Sequence, residues 1–243
     1  MTEPAPGATE TQVVRWHSVA FLNLWGDDGG RGTRTFADRL PQMVADLTKN
    51  RPEVIGVCEL RASNEPHATD LFAAQGYVRM AHSHRLGIYA VPTAVNASTG
   101  FYRYPTQNEG AAEGILRQRL KIDGSWVHYG VTHLDYREGF AEGRVDQMKD
   151  GIRAMESFAR RWRLPRWTTR SVIAGDLNST HWVVQRALEP AGFKDVGAGA
   201  AIDVIAVGRG RKILSASHRR TASDHPIVEA TLGKIVPVEP LDV

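Results

Sequence analysis

Cysteine is almost missing from this chain. Among 243 residues only Cys58 carries a thiol, which excludes an intramolecular disulfide and a cysteine-built zinc site. That usage fits a reducing, cytoplasmic setting. No apolar run approaches the length of a membrane-spanning helix, so no membrane span is expected. The opening stretch "MTEPAPGATETQ" has no basic region followed by an apolar one, so it does not read as a secretory signal. Internal repeats and linker-like segments are lacking too. The expectation is one domain over residues 13–233, with a disordered lead at 1–12 and a tail at 234–243. A dominant charge is also absent. The 30 Lys and Arg against 27 Asp and Glu leave a net charge of +3, which is compatible with an anionic partner without requiring one. Nothing indicates an obligate protein partner.

What is present is an ordinary supply of core and surface: 42% of residues are apolar and 23% charged, enough for a sizeable core. "VVRWHSVAFLNL", Val13 to Leu24, is rich in β-branched and aromatic residues and predicts a strand. A glycine-rich loop, Gly26 to Gly32, follows. Phe36, Leu40, Met43, Val44 and Leu47 recur at helical spacing, with Pro41 predicting a kink or a late start. "RPEVIGVCEL" predicts a buried strand over Val54–Cys58. A helix around Ala68–Ala74 and strands at Tyr77–Ala81, Leu86–Val91 and Thr99–Tyr104 come next. A hairpin then runs from Ile115–Ile122 through an Asp123-Gly124 turn to Ser125–His133. Met148, Ile152, Met155, Ala159 and Trp162 form the apolar stripe of the clearest helix, with Arg144, Gln147 and Gly151 on a neighbouring line. "SVIAGDLNST" reads as a buried strand end at which Gly175 frees the backbone. A short helix at Trp182–Leu188, a buried strand in "AIDVIAVG", a basic loop at Arg209, Arg211 and Lys212, and a last strand after "SDH" complete the chain.

Polar residues gather where the apolar strands stop: Asn23, Glu59, His133, Asp176, Asn178, Asp224 and His225, with Asp203 near a strand's start. Period-two alternation points Asp176 and Asn178 to the same side. Each has a local alternative. Asn178 suits a Gly-Asp turn that stabilises its own loop, and His133 suits a hydrogen-bonded histidine at a strand end. Asp203 among Ile202, Val204 and Ile205 needs a partner if buried. Four carboxylates brought together without a cation would repel one another, so convergence implies a hard divalent ion, Mg²⁺ or Mn²⁺, beside a His–Asp pair for proton handling.

In order and local context, "FLNLW", "RPEVIGVCEL", "GVTHLD", the Arg144–Gln147 helix start, "VIAGDLN", "IDVIAV" and "SDHPIV" resemble the endonuclease/exonuclease/phosphatase superfamily, the deoxyribonuclease-I-like hydrolases. These blocks span residues 19 to 232. The resemblance implies an α/β fold, a four-layer α-β-β-α sandwich of two mixed β-sheets flanked by helices. It implies phosphoester hydrolysis by in-line attack of water. By position, Glu59 is the main metal ligand, helped by Asn23 and Asp224. Asp176 orients or deprotonates the water, and Asn178 holds it or the phosphoryl oxygens. His225, paired to Asp203, and His133 contact the phosphate. Cys58 stands where the family often has Gln, and Leu177 where it usually has Phe. Residues 87–113 match poorly, and that region tends to shape the substrate cleft.

For the substrate, nucleic acid is favoured. Arg160, Arg161, Arg163, Arg166 and Arg170 interleave with Trp162 and Trp167, a composition suited to phosphate contact and base stacking. The competing reading is Trp162 in the core and a solvated, basic helix end. His82, His84 and Arg85, and Arg219 with Arg220, are further basic candidates for a cleft. A small phosphorylated metabolite or a lipid headgroup is the alternative substrate, and a binding protein that lost catalysis is a third reading.

Overall fold

A computed structural model describes residues 11–25, 35–105, 114–162, 170–179, 181–195, 202–209 and 211–237. Most of the expected lead, the glycine-rich loop, Arg163, Arg166, Trp167 and the end of the expected tail lie outside them. The elements in order are β1 (Thr11–Asn23), α1 (Phe36–Thr48), β2 (Val54–Cys58), α2 (Glu65–Ala74), β3 (Val78–Ser83), β4 (Leu86–Ala90), β5 (Val95–Arg103), β6 (Gly114–Ile122) and β7 (Ser125–His133). Then come α3 (Ala141–Arg160), β8 (Ser171–Asp176), α4 (His181–Val183), which continues as a π-helical turn over Val184–Leu188, β9 (Phe193–Asp195), β10 (Asp203–Gly208), β11 (Arg211–Arg219) and β12 (Ile227–Pro237). β12 runs into the stretch read from sequence as a tail, and β1 begins inside the stretch read as a lead.

Two six-stranded mixed sheets result, in the orders β11-β12-β1-β2-β4-β3 and β5-β6-β7-β8-β10-β9. They stack face to face, and helices cover their outer faces. The inner core joins Val19, Phe21 and Val54 of the first sheet to Leu116, Val131, Val172 and Ile205 of the second. Gly56 permits the close approach: a Cβ there would lie 2.8 Å from Val131 Cγ2. On the outer face of the first sheet, Leu40, Met43, Val44 and Leu47 of α1 pack on Leu22, Ile55 and Val57. On the second, Met148, Ile152 and Met155 of α3 pack on Ile173, Val204 and Ala206. Each fully buried side chain of this size contributes about 1.5–3 kcal/mol. This is the four-layer α-β-β-α sandwich expected from the sequence.

Local chemistry explains the helix starts. Thr35 accepts from the Asp38 backbone N–H while the Asp38 carboxylate accepts from the Thr35 N–H, a capping box that starts α1 at Phe36 with Pro41 inside the helix rather than at a late start. Three expectations need correction. Arg211 and Lys212 do not lie in a basic loop: they open β11, an edge strand whose polar residues stay largely exposed. Gly175 does not loosen a turn. It sits inside β8, where a Cβ would lie 2.5 Å from the Thr132 carbonyl oxygen, so its smallness lets β7 and β8 approach. Trp162 is 39% exposed and packs flat on Arg119 rather than entering the core.

Candidate active site

The inner face of each sheet loses its apolar side chains at one end, and there the polar residues begin. Across the second sheet, Arg103, Gly114, His133, Asp176 and Asp203 stand in register on five successive strands. Directly opposed residues share a face, so this row continues the inner-face positions of Phe101, Leu116, Val131, Ala174 and Ile205. In the first sheet Asn23 stands in register with Cys58.

Two residues with positive φ then break the strand alternation. Glu59 has φ 58°, and in place of pointing to the helix side its Oε1 accepts from Asn23 Nδ2 at 2.9 Å. The same Nδ2 donates to Asp176 Oδ2 at 2.9 Å. One buried amide therefore joins a carboxylate from each sheet. Asn23 Oδ1 is engaged in turn by the Trp25 N–H at 2.8 Å. Asn178 has φ 47°, donates its backbone N–H to Asp176 Oδ1 at 2.8 Å, and gives one side-chain hydrogen to the Leu134 carbonyl at 2.8 Å. The turn is therefore held by the Asp176 carboxylate, and the Asn178 side chain ties it to the chain just past β7 rather than stabilising its own loop.

The two imidazoles flank Asp176. His133 Nε2 lies 3.7 Å from Asp176 Oδ2 and 3.9 Å from Glu59 Oε1. His225 Nδ1 lies 2.8 Å from Asp203 Oδ2 and 3.8 Å from Asp176 Oδ2, and its Nε2 is 3.8 Å from Asp224 Oδ1. The longer separations exceed a direct hydrogen bond and are charge contacts. Burial opposes charge on His225, but its bond to Asp203 and the negative charges of Asp203, Asp176 and Asp224 outweigh that and raise its pKa to about 9. At Asp203 burial dominates and pushes the carboxyl upward, against the pull of His225. Asp203 Oδ1 is buried with no hydrogen-bond partner among the described residues.

Asp176, Asp203 and His225 each offer a ligand atom, all within 4.8 Å of one another, a group able to hold a metal ion. The donor chemistry divides it. His225 Nδ1 is committed to Asp203, a pairing suited to carrying a proton, whereas Glu59, Asp176 and the half-exposed Asp224 present oxygens of the kind a hard divalent cation takes; Asn23 turns its amide nitrogen to the carboxylates and its oxygen to the Trp25 N–H. Cys58 is buried in the inner core and its thiol pKa is raised by burial and by the neighbouring Asp176 and Glu59, which makes it a packing residue.

Several supporting residues escaped the list of site candidates. Ser223 Oγ donates to the Asn23 carbonyl at 2.7 Å and accepts from the His225 N–H at 3.2 Å, fastening the β11–β12 loop to the end of β1. A serine two residues before the histidine is the sequence signal for such a turn. Asp135 is wholly buried and ion-paired to Arg137. Gln147 Oε1 accepts from its N–H at 3.0 Å, and Arg144 Nε donates to its carbonyl at 2.5 Å, so the start of α3 secures the chain just past His133. Arg39 Nη2 donates to the Trp25 carbonyl at 3.0 Å and lies over the Trp25 ring.

Other basic candidates lie elsewhere. Arg119 is sandwiched between Trp126 and Trp162, at 3.9 and 4.1 Å from the ring centroids. Trp126 sits at the opposite end of β7 from His133, about 23 Å away at about 3.3 Å per residue. Arg219 is ion-paired to Glu229 and bonded to the Asp46 carbonyl. A cleft of about 400 Å³ lined by Arg220, Ser223, Asp224 and His225 opens at the site. A groove of about 300 Å³ lined by Arg15, Ser18, Ser217 and Glu229 holds none of the site residues.

No family model and no curated protein matches the chain. Solved structures do. A D. rerio TDP2 humanized by 14 mutations is 18% identical with a TM-score of 0.71, over 89% of this chain and 98% of that one. D. rerio TDP2 complexed with single strand DNA product is 16% identical with a TM-score of 0.69, over 89% and 98%. The human Nocturnin catalytic domain with bound sulfate anion is 14% identical with a TM-score of 0.70, over 91% and 97%. An endonuclease/exonuclease/phosphatase family protein from Bacteroides thetaiotaomicron is 15% identical with a TM-score of 0.68, over 93% and 99%. The chain has the fold of these proteins, the deoxyribonuclease-I-like α/β sandwich.

Proposed function

We propose that this chain is a divalent-metal-dependent phosphoesterase that cleaves nucleic-acid phosphodiester bonds by in-line attack of water. The observation that carries the reading is the Asn23 amide, which holds Glu59 and Asp176 together from opposite sheets while His133 and His225 stand on either side of Asp176. Glu59 and Asp224 would hold the cation, Mg²⁺ or Mn²⁺, while Asn23, expected from sequence as a further ligand, clamps the carboxylates through Nδ2 with its Oδ1 on the Trp25 N–H. When bound, the cation supplies neutralisation of phosphoryl charge and activation of an oxygen nucleophile.

The chain's own groups do the rest. Asp176 Oδ2 orients the attacking water and takes its proton. Asn23 and the Asn178 N–H keep that carboxylate oriented. His225, held by Asp203 through Nδ1 and protonated below about pH 9, presents Nε2–H to the phosphoryl oxygens and offsets the charge that grows there. His133 Nε2 adds a second contact. Asn178 has one side-chain hydrogen committed to Leu134, and its remaining polar atoms serve the water or the phosphoryl group. Nucleic acid is favoured as substrate because one protein of this fold, D. rerio TDP2, was solved with single strand DNA product.

The test is a substrate panel of duplex DNA, single-stranded DNA, RNA and small phosphomono- and diesters, each with Mg²⁺, Mn²⁺ or EDTA. The reading expects metal-dependent cleavage of nucleic acid that falls steeply with salt. Turnover confined to small esters with weak salt dependence moves the substrate to a phosphorylated metabolite or lipid headgroup. Inertness toward every ester with either metal overturns the reading.

A further inference from the structure

Beside the carboxylates, a pair of rings bridges the two sheets. His84, at the tip of the β3–β4 hairpin, stacks on Phe101 of β5 with centroids 4.1 Å apart and planes 11° from parallel. No role in the chemistry above falls to either ring, yet both are held in place by specific features.

Phe101 depends on Gly114. In the row Arg103–Gly114–His133, Gly114 lacks a side chain, and a Cβ there would lie 2.5 Å from Phe101 Cζ and 2.4 Å from the Tyr102 carbonyl oxygen. The Phe101 ring thus fills the space above β6, one strand or about 5 Å from the strand that carries His133. His84 depends on a costly turn. His84 and Arg85 have φ 48° and 64°, consecutive left-handed residues, neither of them glycine. Each such residue costs on the order of 1 kcal/mol or more and persists only where its surroundings hold it. Here the Leu60 N–H donates to the Arg85 carbonyl at 3.0 Å and His82 Nε2 lies 3.3 Å from the Leu60 carbonyl, so the hairpin tip is pinned to the residue that follows Glu59. The ring pair therefore stands between the chain of Glu59 and the strand of His133.

Its chemistry is that of a stacking surface with cations at its edge. His84 is exposed, so the ring face turned away from Phe101 is open. Burial against its neighbours, with the charge of Arg103, lowers the His84 pKa and keeps the ring neutral at pH 7. Arg85 and Arg103 are exposed and carry the positive charge.

We propose that His84 and Phe101 form the platform on which the unpaired nucleobase next to the scissile phosphate stacks, with Arg85 and Arg103 meeting the flanking phosphate. This rests on the phosphodiester reading above. A base must be unpaired to lie on such a platform, so single strands are the substrate form. A base–aromatic stack is worth about 1–3 kcal/mol, or roughly 5- to 150-fold in affinity.

The experiment compares a single-stranded oligonucleotide with one of equal length built from abasic residues, using wild type, His84→Ala and Phe101→Leu with Mg²⁺. His84→Ala removes an exposed ring and leaves the core intact. Phe101→Leu keeps an apolar side chain over Gly114, so one variant stands if the other fails to fold. The expected result is that wild type cleaves the normal oligonucleotide about tenfold more efficiently than the abasic one. Each folded variant loses that advantage, chiefly through KM, with the abasic rate unchanged. Equal cleavage of both substrates by wild type, or unaltered kinetics in the folded variants, overturns the platform and leaves the phosphodiester reading standing. Cleavage of neither substrate, with Mg²⁺ or Mn²⁺, overturns the platform, and overturns the phosphodiester reading as well when duplex DNA and RNA are also left intact.

Discussion

The two sheets are the same construction used twice with different side chains at the working end. The order β11-β12-β1-β2-β4-β3 matches β5-β6-β7-β8-β10-β9 in the sense of every pairing, antiparallel except for one parallel pair. Each has a parallel pair at its centre, β1 with β2 and β7 with β8, joined through a helix on the outer face, α1 or α3. The correspondence reaches single hydrogen bonds: the Leu24 N–H donates to the Cys58 carbonyl at 3.1 Å, and the Leu134 N–H to the Asp176 carbonyl at 3.0 Å. Asn23 therefore occupies the place of His133, and Cys58 that of Asp176. The halves then part by one residue. In the first the acid comes after the strand, on Glu59 at positive φ. In the second it is the last strand residue, and the positive φ falls on Asn178. The scaffold fixes where polar groups stand, and under the proposed function this offset gives them separate work: an amide that clamps, an imidazole that would contact the phosphate, a thiol that packs and a carboxylate that would act on water.

The largest expected effect separates Asp176 from its counterpart. Asp176→Asn keeps the shape and lowers kcat at least 10³-fold, a magnitude typical of losing a proton-handling and charge-stabilising group. Cys58→Ala, at the matching position, leaves kcat within a few-fold, and steady-state kinetics on both decide it. Near-normal turnover in Asp176→Asn would make the two ends interchangeable. Next in size is the shared core. Phe21→Ala, two residues before Asn23, costs about 3–5 kcal/mol in denaturant unfolding and exceeds Val131→Ala at the matching position of β7, because the larger ring leaves the larger cavity.

A smaller difference divides Asn23 from His133. Asn23→Ala removes the amide NH2 that donates to the buried Asp176 and the part-buried Glu59 carboxylates, costs about 1–3 kcal/mol in thermal unfolding and raises the metal concentration needed for activity. His133→Ala lowers kcat with little change in stability, because its longer contacts of 3.7 and 3.9 Å are not hydrogen bonds. An effect that vanishes at neutral pH is a property the halves share. His17 on β1 and His128 on β7 are wholly buried, and neither ring has a hydrogen-bond partner among the described residues. Burial lowers their pKa values to about 3 and about 4. Below about pH 6.5 the unfolded chain binds protons that the folded chain refuses, so stability falls with acidity, by about 2 kcal/mol per histidine at pH 5. His17→Leu should remove its share of that slope in unfolding measured from pH 7.5 to 5.

The site was legible in the sequence because each of its residues interrupts an apolar pattern at a strand end, where a buried polar group must have a purpose or a partner. Asn23, Glu59, His133, Asp176 and Asp203 all announce themselves this way. The twofold construction was not legible, since matching positions hold Asn and His, or Cys and Asp, and share only backbone geometry. β11 was lost for a related reason: with its outer face bare, "RKILSASHR" has no hydrophobic alternation to reveal a strand. Gly175 reads from sequence as freeing the backbone, yet it and Gly114 are demanded by what lies against them, the Thr132 carbonyl and the Phe101 ring, which local sequence does not contain. Arg144 and Gln147 were visible as a line on a helix, but their partner Asp135 lies past the end of another element.

The most direct test of the central claim is cleavage of an end-labelled single-stranded oligonucleotide across a Mg²⁺ titration, with wild type and Asp176→Asn side by side. The account predicts saturable, EDTA-reversible cleavage by wild type and at least a 10³-fold lower rate for the folded variant at saturating Mg²⁺. Cleavage that persists in EDTA, or a variant that cuts at the wild-type rate, would contradict it.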